Sequence, residues 1–255
     1  MVDNLIYSSE ELKQYYVTHR NTWTDFYPSE RDIFNIVAGD EKNMGRVFDV
    51  GCAAGGLGRA LQSQFSITEY VGLDIHEKVI QEGMGKGGFR MPARLYAGDI
   101  LNSVFAPGEL FDVVVSLSCA DWNLNPIDIL KKCWSYVRPG GNFILTLRLT
   151  PYESIVDFSK SYQYIYFGNE KMIEEEVYEK AAYVVFNIKE SIKIMQALKP
   201  APKKIIARGY WGTPSLSAVT PYDKLIFSAF AVKKSENTEV DSTMVDIVWP
   251  VEALL

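Results

Sequence analysis

The sequence predicts an α/β fold, a doubly wound and mostly parallel sheet with a C-terminal antiparallel hairpin. The first observation is a regular alternation of strand and helix patterns that begins at Arg46. Such alternation is typical of a parallel sheet covered by helices. The second observation is a pair of apolar segments, 204–211 and 224–232, joined by a turn-rich stretch. Because that connection is too short for a crossover helix, the two segments should pair antiparallel.

Five strands and three helices are predicted in the core. The strands are short, mostly apolar runs at 47–50, 70–74, 93–97, 111–117 and 142–147. Helices are predicted between them at 57–65, 76–82 and 126–136, the last with apolar residues at helical spacing. Ligands of such sheets bind beyond the carboxyl ends of the strands, so a site is expected in the loops that follow them.

The regions around this core predict four further units. Residues 1–44 are polar and aromatic and indicate a helical N-terminal cap, with helices that begin near Ser9 and after Pro28. After the core at 45–150, the other three units are a helical insertion at 151–203, the antiparallel strands at 204–234 and a tail at 235–255. In the insertion, a charged run from about Lys171 to Leu198 predicts a helix, and Ile247–Trp249 in the tail is a candidate extra strand.

Composition predicts an ordinary globular protein, since 47% of the 255 residues are hydrophobic and 23% are charged. The net charge of −6 disfavours nucleic-acid partners, which need a basic surface. Apolar runs stop well short of the roughly 20 residues that a bilayer span needs, so no membrane segment is expected. No leader pattern opens the sequence, which makes the cytoplasm the default expectation. The three cysteines, Cys52, Cys119 and Cys133, form no CxxC pair and predict reduced thiols, and no metal site is expected.

The loop from Asp49 to Gly55 joins a predicted strand to a predicted helix, and its small residues allow a ligand to approach the backbone. Two ligands compete for such a loop, the pyrophosphate of a dinucleotide and S-adenosylmethionine (SAM). Gly51, Ala53 and Gly56 form a degraded dinucleotide motif, so the small residues alone do not separate them. Asp49 favours SAM, because a carboxylate repels pyrophosphate and attracts the ammonium and sulfonium groups of SAM. A tight turn without a ligand is the third possibility.

Later strand ends would complete a cofactor pocket. Asp74 ends the second strand, where its carboxylate could accept hydrogen bonds from both ribose hydroxyls, and Ile75 could cover the adenine. Asp99 and Ile100 follow the third strand and could contact the adenine amino group and ring. The floor beneath the reacting sulfur is predicted from the end of the fourth strand, at Ser116, Leu117, Ser118 and Cys119. Aspartates often end strands as turn residues, so one such residue alone is weak evidence for a pocket. A pocket is favoured because suitable residues occur in order at the ends of successive strands.

Several motifs of this core occur together in one known family. The glycine motif is Val47–Gly58, and the later landmarks are Leu73–Ile75, Gly98–Ile100, Phe111–Val113 and Val137–Gly141. As a set they resemble class I (Rossmann-like) SAM-dependent methyltransferases, and the terminal hairpin resembles the reversed seventh strand of that fold. Ala53 departs from the family pattern by replacing the middle glycine, which should narrow the loop slightly. The resemblance covers about residues 44–150 and, more loosely, 204–233.

The resemblance implies methyl transfer from SAM and says little about the acceptor. The acidic net charge favours a small acceptor, and the many tyrosine and tryptophan residues, which suit stacking on rings, favour a small molecule or a glycan precursor. Oxygen is favoured as the methylated atom, because no Asn/Asp-Pro-Pro-Tyr motif for amines follows the fourth strand. In that interpretation, residues 1–44 and 151–203 form the acceptor pocket. An NAD(P)-dependent oxidoreductase and a non-catalytic SAM-binding module stay open as alternatives. The sequence does not determine the oligomeric state, and a homodimer stays open.

Candidates for catalysis and acceptor binding come from the cap and from the loop after the fourth strand. His19 is a candidate base because histidine titrates near neutral pH, and Asp121 lies where the acceptor should enter. Both have structural alternatives, a surface histidine and an Asp-Trp turn. The predicted substrate-binding residues are Arg20, Trp122, Tyr210 and Trp211. Arg20 could pair with a carboxylate of SAM or of the acceptor, or could form a structural salt bridge.

Overall fold

A nine-stranded mixed sheet forms the centre of the protein in the computed structural model, which describes residues 17–18, 20–102, 108–165, 179–236 and 242–250. In the described residues the strands are, in chain order, β1 Asn43–Val50, β2 Ser66–Asp74, β3 Ala93–Ala97, β4 Phe111–Ser116, β5 Val137–Thr150, β6 Tyr162–Ile165, β7 Glu179–Ala182, β8 Phe186–Asn187, β9 Pro202–Gly212, β10 Ala218–Val219, β11 Leu225–Lys234 and β12 Met244–Val248. The order across the main sheet is β12-β9-β11-β5-β4-β1-β2-β3, with β8 paired to β5. A second, three-stranded sheet has the order β10-β6-β7.

The predicted fold class is confirmed by the strand directions. Strands β1 to β5 pair in parallel, with β1 between β2 and β4 and with β4 beside β5. Strand β11 is antiparallel both to β5 and to β9, so the predicted hairpin of 204–211 with 224–232 is present. The sequence therefore identifies both the parallel core and the reversed strand that follows it.

Both faces of the central sheet are buried. Neighbouring residues of one strand face opposite sides of the sheet, and in the central strands both sides meet a hydrophobic cluster. Val47 of β1 packs in one hydrophobic cluster, and Phe48, the next residue, packs in another. Val113 and Val114 of β4 divide between the same two clusters. Central parallel strands that are covered on both faces have continuous apolar sequences. This is why the apolar, β-branched runs in the sequence predicted the positions of these strands.

The described helices cover the sheet and begin at residues suited to helix starts. They are α1 Pro28–Ala38, α2 Gly56–Leu61, α3 Glu77–Lys86, α4 Pro126–Ser135 and α5 Ile188–Gln196. Proline occupies the first position of α1 and α4, where its missing N–H costs no hydrogen bond. The side chain of Asn187 accepts hydrogen bonds from the backbone N–H groups of Lys189 and Glu190 and so caps α5. Short 3₁₀ turns lie at Trp23–Asp25 and Ala120–Trp122.

The predicted helix from Lys171 to Leu198 is wrong in much of its described part. The chain forms β7 and β8 before a helix that spans only Ile188–Gln196. The segment 181–186 consists of small, aromatic and β-branched residues that are all buried, and such residues favour strands. Residues 166–178 lie outside the described part of the chain.

The N-terminal segment and the C-terminal tail each contain predicted elements. The predicted helix near Ser9 lies outside the described residues, whereas the helix predicted after Pro28 is α1. In the tail, β12 pairs in parallel with β9, and the buried Trp249 donates a hydrogen bond from Nε1 to Ser228 Oγ at 2.8 Å. In the described ranges, no helix has both the length and the apolar content to cross a bilayer.

Candidate functional site

Three adjoining depressions open at the carboxyl ends of the central strands. The strand-end compartment lies beside β2 and β3, and its lining includes Gly51, Asp74, Ile75, Asp99, Ile100, Ser118, Cys119 and Trp122. The loop compartment lies beside the glycine loop, and its lining includes Arg20, Asp49, Gly51, Ala53, Leu117 and Ser118. The aromatic cavity lies between β5, the small sheet and α1, and its lining includes Tyr27, Glu30, Ser118, Asp121, Trp122, Arg148, Gln163, Tyr164, Tyr183 and Tyr210. Ser118 is common to all three.

Ser118 is held in an unusual backbone conformation at this junction. Its φ of 46° is in the left-handed region, which non-glycine residues seldom adopt. Its N–H donates a hydrogen bond to Thr146 Oγ1 at 2.7 Å, and its Oγ accepts one from Arg20 Nη1 at 3.5 Å. Such conformations cluster at functional sites, where surrounding contacts hold them.

Asp49 places a buried carboxyl group at the base of the loop compartment. It accepts a 2.6 Å hydrogen bond from the Tyr70 hydroxyl. Burial raises the pKa of Asp49 to about 7, and the hydrogen bond from Tyr70 opposes that rise. A cationic ligand in this compartment would offset the cost of burying the charge and would hold the carboxylate ionised. The site therefore suits a positively charged group.

The raised pKa of Asp49 predicts a pH dependence of SAM binding. If the ammonium group of SAM contacts the carboxylate, the pKa of Asp49 is lower in the complex than its value of about 7 in the free protein. Binding then releases a proton below pH 7, so affinity falls as pH falls. Calorimetric titration between pH 7 and 5.5 should show the Kd rising by up to about tenfold per pH unit. An affinity that is constant over this range would contradict contact between SAM and Asp49.

The glycine loop fits closely around neighbouring side chains. Gly51 has φ 80°, and a Cβ at that position would lie 2.7 Å from Cys119 Sγ, so only glycine fits. Ala53 also has a positive φ, 47°, at the position where the family pattern has glycine. The thiol of Cys119 has a pKa raised to about 12 by burial, which keeps it protonated at neutral pH.

The acids of the strand-end compartment are arranged by backbone hydrogen bonds. Asp74 accepts from the N–H of Ala53 and from the N–H of His76, both at 2.9 Å, and burial raises its pKa. Each carboxylate oxygen keeps capacity for a further hydrogen bond. Asp99 accepts from Leu101 N–H at 2.9 Å. Both acids, with Ile75 and Ile100, line one compartment, as the sequence predicted for residues that contact an adenosine group.

Two predicted site residues are not in this arrangement. Ser116 is fully buried within β4 and lines none of the three depressions, whereas the next residue, Leu117, lines the loop compartment. Trp211 packs against the hydrophobic cluster that contains Phe48. It follows Tyr210 on β9, and successive strand residues face opposite sides of the sheet, so its side chain points away from the aromatic cavity. His19 lies outside the described residues.

Arg20 and Glu30 form an ion pair between the loop compartment and the aromatic cavity. Arg20 Nη2 donates to Glu30 Oε2, and the guanidinium lies 4.8 Å from the ring centroid of Phe26. Glu30 Oε2 also accepts from Tyr27 N–H at 2.9 Å, which closes the start of α1. Glu30 is 1% exposed, and its Oε1 has no hydrogen-bond partner among the described residues. Glu30 is not among the predicted site residues, so its place in the cavity was missed.

Asp121 and Arg148 form a second buried ion pair in the aromatic cavity. Arg148 Nε lies 3.4 Å from Asp121 Oδ2, and its Nη1 donates to the Asp121 carbonyl at 3.1 Å. The guanidinium lies between Tyr183, 3.7 Å from the ring centroid, and Trp122, at 4.5 Å. Burial raises the pKa of Asp121, and the nearby Arg148 opposes that rise. Arg148 was missed because the predicted strand ended at Leu147, although an arginine between two apolar strand residues is an available signal.

The aromatic cavity has the size and lining of a small-molecule site. Its volume is about 560 Å³, within the range of roughly 300–1,000 Å³ typical of ligand pockets. Trp122 and Tyr210, both predicted to contact the substrate, line it together with Tyr164 and Tyr183. Burial raises the pKa of Tyr210 to about 12, so its hydroxyl stays a hydrogen-bond donor at neutral pH.

The sequence matches known methyltransferases over the cofactor loop and the strands that follow. Residues 48–143 match a family described as a methyltransferase domain. A malonyl-[acyl-carrier protein] O-methyltransferase from Paenibacillus sp. (strain JDR-2) is 25% identical over 104 residues. That match spans 40% of this chain and 38% of the relative's length.

The fold is shared with solved structures of methyltransferases. A SAM-dependent methyltransferase from Clostridium acetobutylicum ATCC 824 has a TM-score of 0.52 at 16% identity, covering 89% of this chain and 98% of that one. The plantazolicin methyltransferase BpumL, solved in complex with SAH, has a TM-score of 0.54 at 15% identity, covering 88% and 89%. The family match agrees with the predicted resemblance, and these structures show that the chain shares the fold of SAM-dependent methyltransferases.

Proposed function

We propose that this class I SAM-dependent methyltransferase transfers a methyl group to an oxygen of a small-molecule or glycan-precursor acceptor. The proposal depends on one observation: Ser118 lines the strand-end compartment, the loop compartment and the aromatic cavity. When bound, SAM supplies an electrophilic methyl group on a positively charged sulfur. A cofactor that extends across the first two compartments would present that group where the aromatic cavity begins.

The residues present fit the chemical groups of SAM. The buried carboxylate of Asp49 suits the ammonium, and Arg20, which lines the same compartment, suits the carboxylate of the methionine part. The Asp74 carboxylate, beside the glycine loop, suits ribose hydroxyls. Asp99 and Ile100 suit the adenine amino group and ring. These assignments follow the interpretation of the sequence.

Much of the expected catalysis comes from alignment and from the exclusion of water. The aromatic cavity would orient the acceptor, because Trp122 and Tyr210 offer flat surfaces at its walls. A hydroxyl acceptor must lose a proton during transfer. Asp121 is our candidate to accept it, since its Oδ1 has no hydrogen-bond partner among the described residues and since burial raises its pKa. His19 stays a sequence-based candidate for the same role.

Two observations support oxygen as the methylated atom. The curated relative is named as an O-methyltransferase that acts on malonyl-[acyl-carrier protein]. The Ser118–Trp122 segment after β4 has no Asn/Asp-Pro-Pro-Tyr motif of the kind that binds amines. The methyltransferase matches favour SAM over the nicotinamide cofactor of the oxidoreductase alternative.

The experiment that tests this function has two parts. Calorimetric titration with SAM, with its demethylated product and with NAD should show binding of the first two and none of NAD. SAM labelled in its methyl group, incubated with pools of hydroxylated small molecules, should then give labelled product. Binding of NAD without SAM would contradict the cofactor assignment, and SAM binding without transfer to any pool would favour the non-catalytic module.

A further inference from the structure

We propose that the acceptor is an uncharged polyhydroxy compound of sugar-ring size, held in the aromatic cavity by Glu30, Asp121, Gln163 and Arg148. The inference rests on the proposed function and specifies its substrate class. Of these four residues, only Asp121 was expected to face the acceptor. All four line the same cavity.

Each of the four residues has a buried polar atom without a hydrogen-bond partner among the described residues. These atoms are Glu30 Oε1, Asp121 Oδ1, Gln163 Oε1 and Arg148 Nη2. Such atoms are costly unless a ligand or water satisfies them, because burial removes their hydrogen bonds to bulk water. Three of them accept hydrogen bonds and one donates. A complementary ligand therefore needs several donors and at least one acceptor.

The fixed charges of the cavity balance each other. Glu30 is paired with Arg20, and Asp121 is paired with Arg148. A ligand with a net charge would gain no attraction from an excess of the opposite sign. The unpaired atoms are therefore the features that select among ligands.

Hydroxyl groups match these atoms better than charged groups do. A carboxylate or phosphate ester dianion has no donor for the three unpaired acceptor oxygens, and two of those oxygens belong to carboxylates that would repel it. An ammonium has donors but no acceptor for Arg148 Nη2, and the two arginines would repel it. A hydroxyl both donates and accepts, so adjacent hydroxyls of one ring could satisfy all four residues.

The aromatic walls favour a ring with apolar C–H faces. Tyr164, Tyr183 and Tyr210 line the cavity with Trp122, and Gln163 lies beside Tyr164 on β6. Gln163 is fixed on one side, since its Nε2 donates to Ser215 Oγ at 3.1 Å. Aromatic side chains pack against apolar surface while polar groups at the ring edge form hydrogen bonds. Sugar rings combine both features.

The test compares methyl pyranosides that share one ring and differ at the exocyclic carbon, which has a hydroxyl, a carboxylate or an ammonium group. The enzyme is supplied with methyl-labelled SAM, and kcat/KM is measured for each compound. The hydroxyl compound should exceed both charged compounds by roughly tenfold or more, because each mismatch leaves a buried group unpaired.

A pair of variants at Gln163 makes the test specific to this cavity. Gln163→Lys supplies donors and a positive charge, and it should raise the carboxylate-to-hydroxyl ratio of kcat/KM by roughly tenfold. Gln163→Met removes the amide without adding charge and should leave the order of preference unchanged. Glu41→Gln, an exposed change outside the three depressions, is the control for nonspecific effects.

The outcomes separate this inference from the proposed function. Transfer to a charged pyranoside at an equal or higher kcat/KM than to the hydroxyl compound would overturn the inference and leave methyl transfer intact. An unchanged preference in Gln163→Lys would also overturn it. If SAM binds but no pyranoside is methylated, both the sugar-type acceptor and the inference are wrong.

Discussion

Asp49→Asn is expected to weaken SAM binding by at least about 30-fold, because it removes the carboxylate proposed to contact the ammonium group. Loss of one partner from a buried charge pair costs about 2–5 kcal/mol, and 1.4 kcal/mol corresponds to tenfold in affinity. The substitution keeps the shape of the side chain, and the amide oxygen can still accept the hydrogen bond from the Tyr70 hydroxyl. Calorimetric titration of the variant with SAM measures the effect.

Stability measurements separate this binding effect from misfolding. Because burial raises the folded-state pKa of Asp49 to about 7, its contribution to stability is full below about pH 4, falls as pH rises from about 4 to 7, and is lost above pH 7, where the buried carboxylate is ionised. Above pH 7 the asparagine variant should therefore unfold at a temperature no lower than the parent. Asp40→Asn, at an exposed position, is the matched control and should bind SAM normally. Unchanged SAM affinity in Asp49→Asn would show that the carboxylate does not contact the cofactor.

Arg148→Met is expected to destabilise the protein by about 3–5 kcal/mol, because it leaves the buried Asp121 carboxylate without its charged partner. The arginine is 4% exposed and Asp121 is 3% exposed, so bulk water solvates little of the carboxylate that is left behind. For a chain of this size the loss corresponds to a decrease in Tm of roughly 10 °C. Thermal unfolding at pH 7.5 measures it.

The double variant Asp121→Asn/Arg148→Met tests the cause. If the unpaired carboxylate is the source of the loss, neutralising Asp121 should recover most of the stability of the single variant. If the double variant is as unstable as Arg148→Met, the loss instead comes from the packing of the guanidinium between Tyr183 and Trp122. Lys131→Met, on an exposed side chain, should change Tm little.

The parallel core could be predicted because its strands are covered on both faces. Strand β4 has the β-branched, apolar run Val113–Val115 at its centre, and this pattern depends on the local sequence alone. The small sheet could not be predicted in the same way. Strands β6 and β7 have only four residues each, and their stability depends on pairing between distant segments. The charged sequence around these two strands predicts a helix if the pairing between distant strands is not taken into account.

The site likewise contains some residues that could be predicted from the sequence and others that could not. Asp49, Asp74 and Asp99 could be predicted because each lies at or just after the end of a predicted strand, and sheet topology brings strand ends together. Glu30 and Arg148 could not be placed, because their role depends on burial and on the partner that each meets across the cavity. Ser116 was misplaced for a related reason, since a shift of one residue along a strand reverses the direction of the side chain.

The aromatic cavity draws most of its lining from outside residues 48–143, the range of the domain match, through α1, the end of β5, the small sheet and the β9–β11 region. The cofactor compartments lie almost wholly inside that range. Under the proposed function, substitutions in the segments that line only the aromatic cavity should therefore alter which acceptor is chosen and leave SAM affinity unchanged. A search for variants with a new acceptor can be confined to these segments.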